Sequence, residues 1–146
     1  MNPTTVYDKF IAALTIWREA RGETLQAQNG VFHVILNRVA QSPKNGWPST
    51  VHGVCVQPYQ FSSFNKNDPG CLLWPLEKNS ADWQAWLNIL TLIDSVLLAD
   101  PTSGATFYFD DSITPPYLQW LGPTATLDQL MALKTCTIGR LSFFKI

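Results

Sequence analysis

Glu19 is the residue whose type and position most favour acid–base chemistry. It lies in the segment Trp17-Arg18-Glu19-Ala20-Arg21-Gly22-Glu23, where Gly22 is a natural end for an apolar helix. The carbonyl groups at a helix C-terminus carry partial negative charge, which disfavours a carboxylate there. That field and partial burial would raise the pKa of the Glu19 carboxyl toward the range of a general acid, unless the neighbouring arginines oppose it. The alternative is that Glu19 and Glu23 are both solvated carboxylates at a helix end.

Two helices must position this carboxyl group. Residues 5–21 predict the first helix, because Thr5 makes a capping-box-like start with Asp8 and apolar residues then recur at helical spacing. Residues 25–41 predict the second helix, with Thr24 as its N-cap and one apolar stripe along its length. The carboxyl group is therefore expected in the last turn of the first helix, just before the connection to the second.

The rest of the chain predicts an α+β domain that is mainly helical with a small β lobe. Residues 42–79 are interrupted by proline and glycine, so that only short elements fit between them. The β lobe is expected from Val51–Val56 and 59–64, paired as a short hairpin. The remaining predicted elements are a helix over 80–99, a strand over 106–109, a short helix over 127–133 and a strand pair of 136–144 with 104–109.

The composition indicates one domain that binds a neutral polar ligand. The 146 residues contain no linker or repeat, so residues 1–146 are expected to form a single domain. Only 14% of the residues are charged, which suits a carbohydrate ligand. The net charge is -1 and Lys and Arg do not cluster, which argues against a nucleic-acid partner. No run of about 18 apolar residues is present, so no stable membrane association is expected.

The cysteines and histidines do not have the spacing of a metal site. The three cysteines, Cys55, Cys71 and Cys136, allow one internal disulfide at most, and three reduced thiols are the simpler interpretation. No CxxC or HxxxH pair accompanies His33 and His52. The chain is therefore predicted to need neither a metal ion nor another cofactor, and Cys136 is expected to be structural rather than a nucleophile.

Four blocks in order along the chain resemble the SleB/CwlJ-type cell wall hydrolases, the family of the spore-cortex-lytic enzymes. The blocks are residues 17–23, Val34-Ile35-Leu36-Asn37-Arg38-Val39, Gln57-Pro58-Tyr59-Gln60-Phe61-Ser62 after Ser49-Thr50-Val51, and Asp100-Pro101-Thr102-Ser103-Gly104-Ala105-Thr106-Phe107-Tyr108-Phe109; Ile138-Gly139 with Phe143 resembles the C-terminal strand. The resemblance implies a compact lysozyme-like domain whose catalytic glutamate ends the first helix, which is Glu19 here. It also implies cleavage of peptidoglycan glycan strands between N-acetylmuramic acid and N-acetylglucosamine. Some members act as lytic transglycosylases, which leave a 1,6-anhydromuramoyl end.

A lytic transglycosylase needs only one protein carboxyl group, whereas most glycosidases flank the bond with two. The resemblance implies that Glu19 protonates the leaving oxygen and then accepts the proton of the muramoyl 6-hydroxyl. The substrate itself supplies the nucleophile, so proximity replaces a second carboxylate. Glu23 is the best second candidate, and Asp68 and Asp111 are weaker ones; a solvated surface or turn position is the simpler interpretation of all three.

Substrate-binding residues are expected at three further places. Gln60 and Ser62 follow a Pro-Tyr turn, and the resemblance favours a contact of Gln60 with an acetamido group or the reacting ring over a place in a strand of mixed polarity. Thr106 and Tyr108 alternate with two phenylalanines on a predicted strand, so this pair is expected to face the cleft. Tyr117 in the following loop could stack on a sugar ring or cover the core. The predicted substrate-binding set is Gln60, Ser62, Thr106, Tyr108, Tyr117 and Glu23.

Three functions are open on this sequence. The first is a lytic transglycosylase or muramidase of the endolysin or virion-associated phage type, expected as a monomer. It would be made in the cytoplasm without a signal peptide, because Asp8 precedes the first apolar run and no cleavage site follows it, and would reach the wall after holin-type release or in a phage particle. The second is an N-acetylmuramoyl-L-alanine amidase, which the absence of the family's frequent histidine after Ile138-Gly139 weakens. The third is a non-catalytic wall-binding or virion protein on the same fold.

Overall fold

Five α-helices, two short 3₁₀ helices (Lys44–Gly46 and Pro69–Leu72) and a three-stranded sheet lie in the part of the chain that the structure describes. This computed structural model describes residues 5–58, 60, 61, 64, 67–75, 78–95, 99–112, 121, 122 and 124–146. The helices are α1 (Val6–Ala20), α2 (Leu25–Gln41), α3 (Val51–Val56), α4 (Ala81–Asp94) and α5 (Leu127–Met131), and the strands are β1 (Phe107–Asp110), β2 (Lys134–Ile138) and β3 (Leu141–Phe144). The predicted α+β class, mainly helical with a small sheet, is confirmed.

The first two helices begin and end close to the positions that their local sequence predicts. Thr5 caps α1 by accepting a hydrogen bond of 3.0 Å from the amide of Asp8, and Thr24 caps α2 in the same way. Between the two helices, the side-chain amide of Gln28 donates to the carbonyl of Ala20 at 3.0 Å. This contact satisfies a carbonyl group that the end of α1 would otherwise leave without a partner in the helix.

The predicted hairpin lobe is wrong, because Val51–Val56 forms helix α3. Its N-cap is Thr50, whose hydroxyl accepts a hydrogen bond of 3.2 Å from the amide of Gly53. A second cap comes from α1, where the buried carboxylate of Asp8 accepts from the backbone amide of His52 at 3.0 Å and lies 2.7 Å from its ring Nδ1. These caps override the strand propensity of the valines. The described residues of the other predicted strand, 60, 61 and 64, lie in turns and a 3₁₀ segment.

Helix α4 is shorter than the predicted 80–99. Ser80 caps it by accepting a hydrogen bond of 3.1 Å from the amide of Trp83. The helix ends at Asp94, where the amide of Ser95 donates to carbonyls of the last turn. Residues 96–98, which belong to the predicted helix, lie outside the described part of the chain.

The strands form an antiparallel sheet in the order β1-β3-β2, with β3 in the centre. The predicted pairing of the C-terminal strands with residues near 104–109 is confirmed. One face of the sheet, which carries Tyr108 and Phe143, packs against the helices. The opposite face, which carries Phe109 and Phe144, packs against Leu130 of α5. The sheet thus lies between the main helical layer and α5.

Helix α2 and the sheet approach each other closely at Gly30. A Cβ atom added there would lie 2.6 Å from the ring of Phe143 and 3.2 Å from the methyl group of Thr102. Only a residue without a side chain allows this approach without a shift of the neighbours. The approach fixes the separation of the helical layer from the sheet, and therefore the separation of the end of α1 from β1.

Candidate active site

The end of α1 and strand β1 bring Glu19 and Tyr108 together. The Tyr108 hydroxyl donates to Glu19 Oε2 at 3.4 Å, across 89 positions of sequence. This distance is long for an O–H···O hydrogen bond, as is common in catalytic sites without substrate. Glu19 is the penultimate residue of α1, and the alternation of β1 directs Tyr108 toward the helices. Two residues singled out from the sequence therefore meet at one point.

The contact between these two side chains is partly buried, although both residues keep some exposure to water. Glu19 Oε1 is buried, as are the neighbouring residues Trp17 and Ala20. Tyr108 is partly exposed as a residue, but desolvation of its hydroxyl raises its pKa well above the usual value, and the charge of Glu19 adds to this rise. Tyr108 therefore remains a proton donor at physiological pH and does not compete with Glu19 for a proton.

The two arginines that flank the carboxyl group in sequence are engaged by other elements. Arg18 donates to the carbonyl of Cys71 at 3.0 Å and to that of Leu73 at 3.1 Å. Arg21 Nε lies 3.4 Å from Asp82 Oδ1, in the first turn of α4. Arg18 is thus held by the segment that precedes α4, and Arg21 by α4 itself.

Gln60 is held by a buried arginine of α2. Arg38 Nη1 donates to Gln60 Oε1 at 3.2 Å, and Arg38 Nε donates to the carbonyl of Thr106 at 2.7 Å. Arg38 is 4% exposed, and desolvation lowers its pKa to about 10, which leaves it charged at neutral pH. Arg38 therefore connects Gln60 to the backbone of Thr106, which directly precedes β1 and lies two residues before Tyr108.

Thr106 does not face a cleft, contrary to the prediction. It is 0% exposed, and its hydroxyl donates to the carbonyl of Ile146 and accepts from the amide of the same residue, both at 3.2 Å. Its amide donates to the carbonyl of Phe144 at 2.8 Å. Strand alternation predicts the direction of Tyr108 correctly. Thr106 is buried because the C-terminal residues pack over it, and no local sequence pattern indicates this packing.

The other candidate carboxylates each take part in a contact that ties them to nearby structure. Glu23 Oε1 accepts two hydrogen bonds from Arg140, at 2.7 and 3.1 Å, and the Glu23 side chain is 8% exposed. Asp68 Oδ1 accepts from a backbone amide two residues on at 2.7 Å, and Asp111 Oδ1 accepts from the Ser142 hydroxyl at 2.6 Å. Glu23 thereby joins the end of α1 to the turn between β2 and β3, a pairing that the sequence did not indicate.

Two predicted site residues, Ser62 and Tyr117, lie outside the residues that the structure describes. Cys55 is buried, and desolvation raises the pKa of its thiol to about 12, whereas Cys71 and Cys136 are half-buried and all three are free thiols. Within the described ranges, no three His, Cys, Asp or Glu side chains are grouped to hold a metal ion. No described helix has the length and apolarity required to cross a membrane.

Comparison with known proteins connects this geometry to a family. The Cell Wall Hydrolase family model matches residues 22–131. Spore cortex-lytic enzymes of Oceanobacillus iheyensis and Bacillus cereus are each 31% identical over 114 residues, which is 77% of this chain but only 36% and 38% of theirs. The catalytic domain of the Bacillus cereus SleB protein and that of the germination-specific lytic transglycosylase SleB of Bacillus anthracis have a TM-score of 0.65 and 28% identity, covering 99% of this chain and 94% and 99% of theirs. The fold is therefore that of the SleB catalytic domain, and the chain belongs to the Cell Wall Hydrolase family.

Proposed function

We propose that this chain cleaves peptidoglycan glycan strands between N-acetylmuramic acid and N-acetylglucosamine as a lytic transglycosylase, with Glu19 as its acid and base. The observation that carries the proposal is the desolvated contact of Glu19 with a tyrosine hydroxyl that stays protonated. Membership of the Cell Wall Hydrolase family supports a cell-wall substrate, and the Bacillus anthracis relative is itself named a lytic transglycosylase. The family match begins at residue 22, so the assignment to Glu19 depends on its geometry.

The proposed reaction has two proton transfers. Protonated Glu19 gives its proton to the glycosidic oxygen as the bond between that oxygen and C1 of the muramoyl ring breaks. The resulting carboxylate then accepts the proton of the muramoyl 6-hydroxyl while O6 forms a bond to C1. The products are a 1,6-anhydromuramoyl end and a free 4-hydroxyl on N-acetylglucosamine. No water is consumed, and Glu19 returns to its protonated form.

Tyr108 stabilises the carboxylate that develops in the first transfer. Its hydroxyl donates to Glu19 Oε2, and a hydrogen bond to a charged acceptor contributes about 1.5–3 kcal/mol. In a desolvated site this contribution grows as negative charge develops on the acceptor, because little water is present to screen it. Tyr108 therefore acts mainly on the transition state and less on the protonated ground state.

The contacts of the other carboxylates support a reaction with one protein carboxyl group. An inverting glycosidase uses a second carboxylate to activate water. Glu23 Oε1 is instead occupied by Arg140, and Asp111 Oδ1 by Ser142. Any contact of Glu23 with the glycan would therefore use Oε2. Gln60 remains in the proposed substrate-binding set, and roles for Ser62 and Tyr117 remain predictions.

The biological setting also remains a prediction. A phage-lysis or virion-associated role, with synthesis in the cytoplasm and release through a holin, is an expectation from the sequence. The relatives found by comparison are spore cortex-lytic enzymes, and this chain spans little more than a third of their length. The monomeric state is likewise an expectation.

Mass spectrometry of the fragments released from purified sacculi tests the proposed reaction. We expect wild type to release fragments with 1,6-anhydromuramoyl ends and Glu19→Gln, which keeps the shape of the side chain, to release none. Asp128→Asn, an equivalent change at an exposed position of α5, is the matched control and should act as wild type. Reducing muramic acid ends would instead indicate a hydrolytic muramidase, and freed peptides with intact glycan would indicate an amidase. Activity retained by Glu19→Gln would overturn the assignment, and binding without fragments would favour a wall-binding protein.

A further inference from the structure

Arg38 and Gln60 form a polar unit that takes no part in the two proposed proton transfers. An arginine side chain has five N–H donors and no acceptor. The Gln60 atom that lies 3.2 Å from Arg38 Nη1 must therefore be the carbonyl oxygen Oε1 and not the nitrogen. The contact thus decides which way the amide is turned, and it leaves the –NH2 group on the side away from Arg38.

The Arg38 guanidinium is itself held by a backbone carbonyl and by three aromatic rings. Its Nε donates to the carbonyl of Thr106 at 2.7 Å, and its central carbon lies between 4.7 and 5.7 Å from the ring centroids of Phe107, Phe61 and Trp47. Such a planar fork between aromatic rings is pre-organised, so little conformational freedom remains to be lost when a substrate binds. Because the group stays charged, its hydrogen bond to Gln60 is stronger than one between neutral groups.

Gln60 Nε2 is the end of this unit that is available to a ligand. Among the described residues it donates to no acceptor, and Gln60 is only partly buried. The unit lies next to the proposed site, because the Thr106 carbonyl that Arg38 binds is two residues from Tyr108, which contacts Glu19. A group that can only donate suits an acceptor without hydrogen. Each sugar of peptidoglycan carries three neutral acceptors of this kind, which are the ring oxygen, the glycosidic oxygen and the acetamido carbonyl. The amide carbonyl oxygen is the strongest acceptor of the three and projects from the ring, so it suits Gln60 best.

We propose that Arg38 is a positioning residue that holds Gln60 with its Nε2–H donors toward the glycan, so that Gln60 selects sugars with an N-acetyl carbonyl. This inference rests on the proposed function, because it places the glycan against the Glu19–Tyr108 contact. A sugar whose nitrogen is a free amine presents an ammonium group there, which is also a donor only and cannot pair with Gln60. A site built to hydrogen-bond one group discriminates strongly against an analogue that leaves its partner unmatched.

Gln60→Glu removes the donor that faces the glycan but keeps the contact with Arg38. The variant therefore tests the role of the amide donor without destabilising the fold. The new carboxylate keeps the size of the amide and forms an ion pair with Arg38, so we expect a Tm at pH 7 no lower than that of wild type. The same change replaces the donor with an acceptor, which repels the acetamido carbonyl. Binding of acetylated strands should therefore weaken about 10- to 100-fold. Gln84→Glu, the same change at an exposed position of α4, is the matched control and should bind as its parent does.

Binding is measured in the Glu19→Gln background, where no strand is cleaved, with purified glycan strands in three forms: N-acetylated, chemically de-N-acetylated, and re-N-acetylated. We expect Gln60→Glu to weaken binding to the first and third forms and not to the second. Equal loss on all three forms, or no loss on any, overturns the proposal. If wild type releases no anhydromuramoyl fragments but Gln60→Glu still weakens binding to the acetylated forms alone, the proposed reaction fails and the role of Gln60 in binding the glycan stands.

The role of Arg38 is tested by a double-mutant cycle with Arg38→Met. If Arg38 positions the amide, Gln60→Glu should change the preference for acetylated strands less in the protein with Arg38→Met than in the protein that keeps Arg38. An undiminished effect of Gln60→Glu would show that Arg38 does not position it. Circular dichroism establishes whether Arg38→Met folds; if it does not, Arg38→Lys, which keeps the charge but not the planar fork, takes its place in the cycle.

Discussion

Replacing Tyr108 with phenylalanine removes one oxygen atom from the proposed site and leaves the ring in place. The ring centroid lies 6.0 Å from that of Phe143, its partner across β1 and β3, so the packing of the sheet against the helices is retained. The change removes the hydrogen bond to Glu19 Oε2. Such a bond to a charged group contributes about 1.5–3 kcal/mol, and each 1.4 kcal/mol is about tenfold in rate. We therefore expect kcat to fall about 10- to 150-fold.

The pH dependence of the same variant provides a second readout. A hydrogen bond to the charged form of a carboxyl group favours that form, so its loss raises the pKa of Glu19. In the proposed reaction Glu19 begins protonated, so activity should fall as the pH rises through this pKa, and the alkaline limb of the variant should move to higher pH. Tyr108 adds no limb of its own near neutrality, because desolvation and the charge of Glu19 hold its pKa well above the usual value.

The assay is the initial rate of anhydromuramoyl release from sacculi, measured from acidic to alkaline pH and accompanied by thermal unfolding. Tyr7→Phe is the matched control, because the Tyr7 ring is 56% exposed at the start of α1 and should tolerate the loss of its hydroxyl. The free energy of unfolding of Tyr108→Phe should fall by about 1–3 kcal/mol, because Glu19 Oε2 stays in place but loses this donor. A folded Tyr108→Phe with the kcat and pH profile of wild type would refute the role assigned to this hydroxyl.

Two further predictions concern stability. Gly30→Ala should lower the free energy of unfolding in urea by about 1–3 kcal/mol, because its Cβ would lie 2.6 Å from the ring of Phe143. Gly22→Ala is the control, because a Cβ atom there would have no atom within 4 Å. Equal free energies of unfolding for the two variants would contradict the close approach at Gly30. Asp100→Asn should lower the Tm at neutral pH. Desolvation alone would raise the pKa of Asp100, but hydrogen bonds from Thr102, Asn37 and Gly104 outweigh it and lower the pKa below 3.8. A lowered folded-state pKa stabilises the protein above the unfolded-state pKa, and this contribution is lost as the pH falls, so the Tm deficit should shrink in acid; a deficit independent of pH would count against it.

Helices that are capped by their own neighbours could be predicted from the sequence, and helices that depend on distant residues could not. Thr24 caps α2 locally, and the helix spans the predicted 25–41. Helix α3 is capped in part by Asp8, which is 44 positions away from His52 in the sequence. A strand was predicted there because the local pattern contains three valines and no sign of that contact. Strand propensity depends on context in just this way.

In the candidate site, too, local sequence indicates the positions of single residues but not the contacts between distant ones. The place of Glu19 at the end of the first helix could be predicted from the local pattern, and strand alternation indicated the direction of Tyr108. The choice of Glu19 as the catalytic candidate came from the family resemblance and stays a prediction. Their contact joins residues 89 positions apart, and the pair of Glu23 with Arg140 joins residues 117 positions apart, so no spacing rule indicates either. Arg38 was hidden for a different reason: a charged residue in an apolar helix is usually solvated, and its burial follows from three aromatic rings contributed by separate segments.

The central place of β3 in the sheet bears on the order in which the molecule assembles. Strands β2 and β3 are joined by a two-residue turn and can pair early as a hairpin. Within the described chain, β1 pairs only with β3, and the 30 residues that separate the two strands predict a slower pairing because closing a longer segment costs more entropy. Since β1 carries Tyr108, the contact with Glu19 forms only once β1 has paired. We therefore expect the proposed activity to return later in refolding than helical content, when both are followed in one stopped-flow experiment.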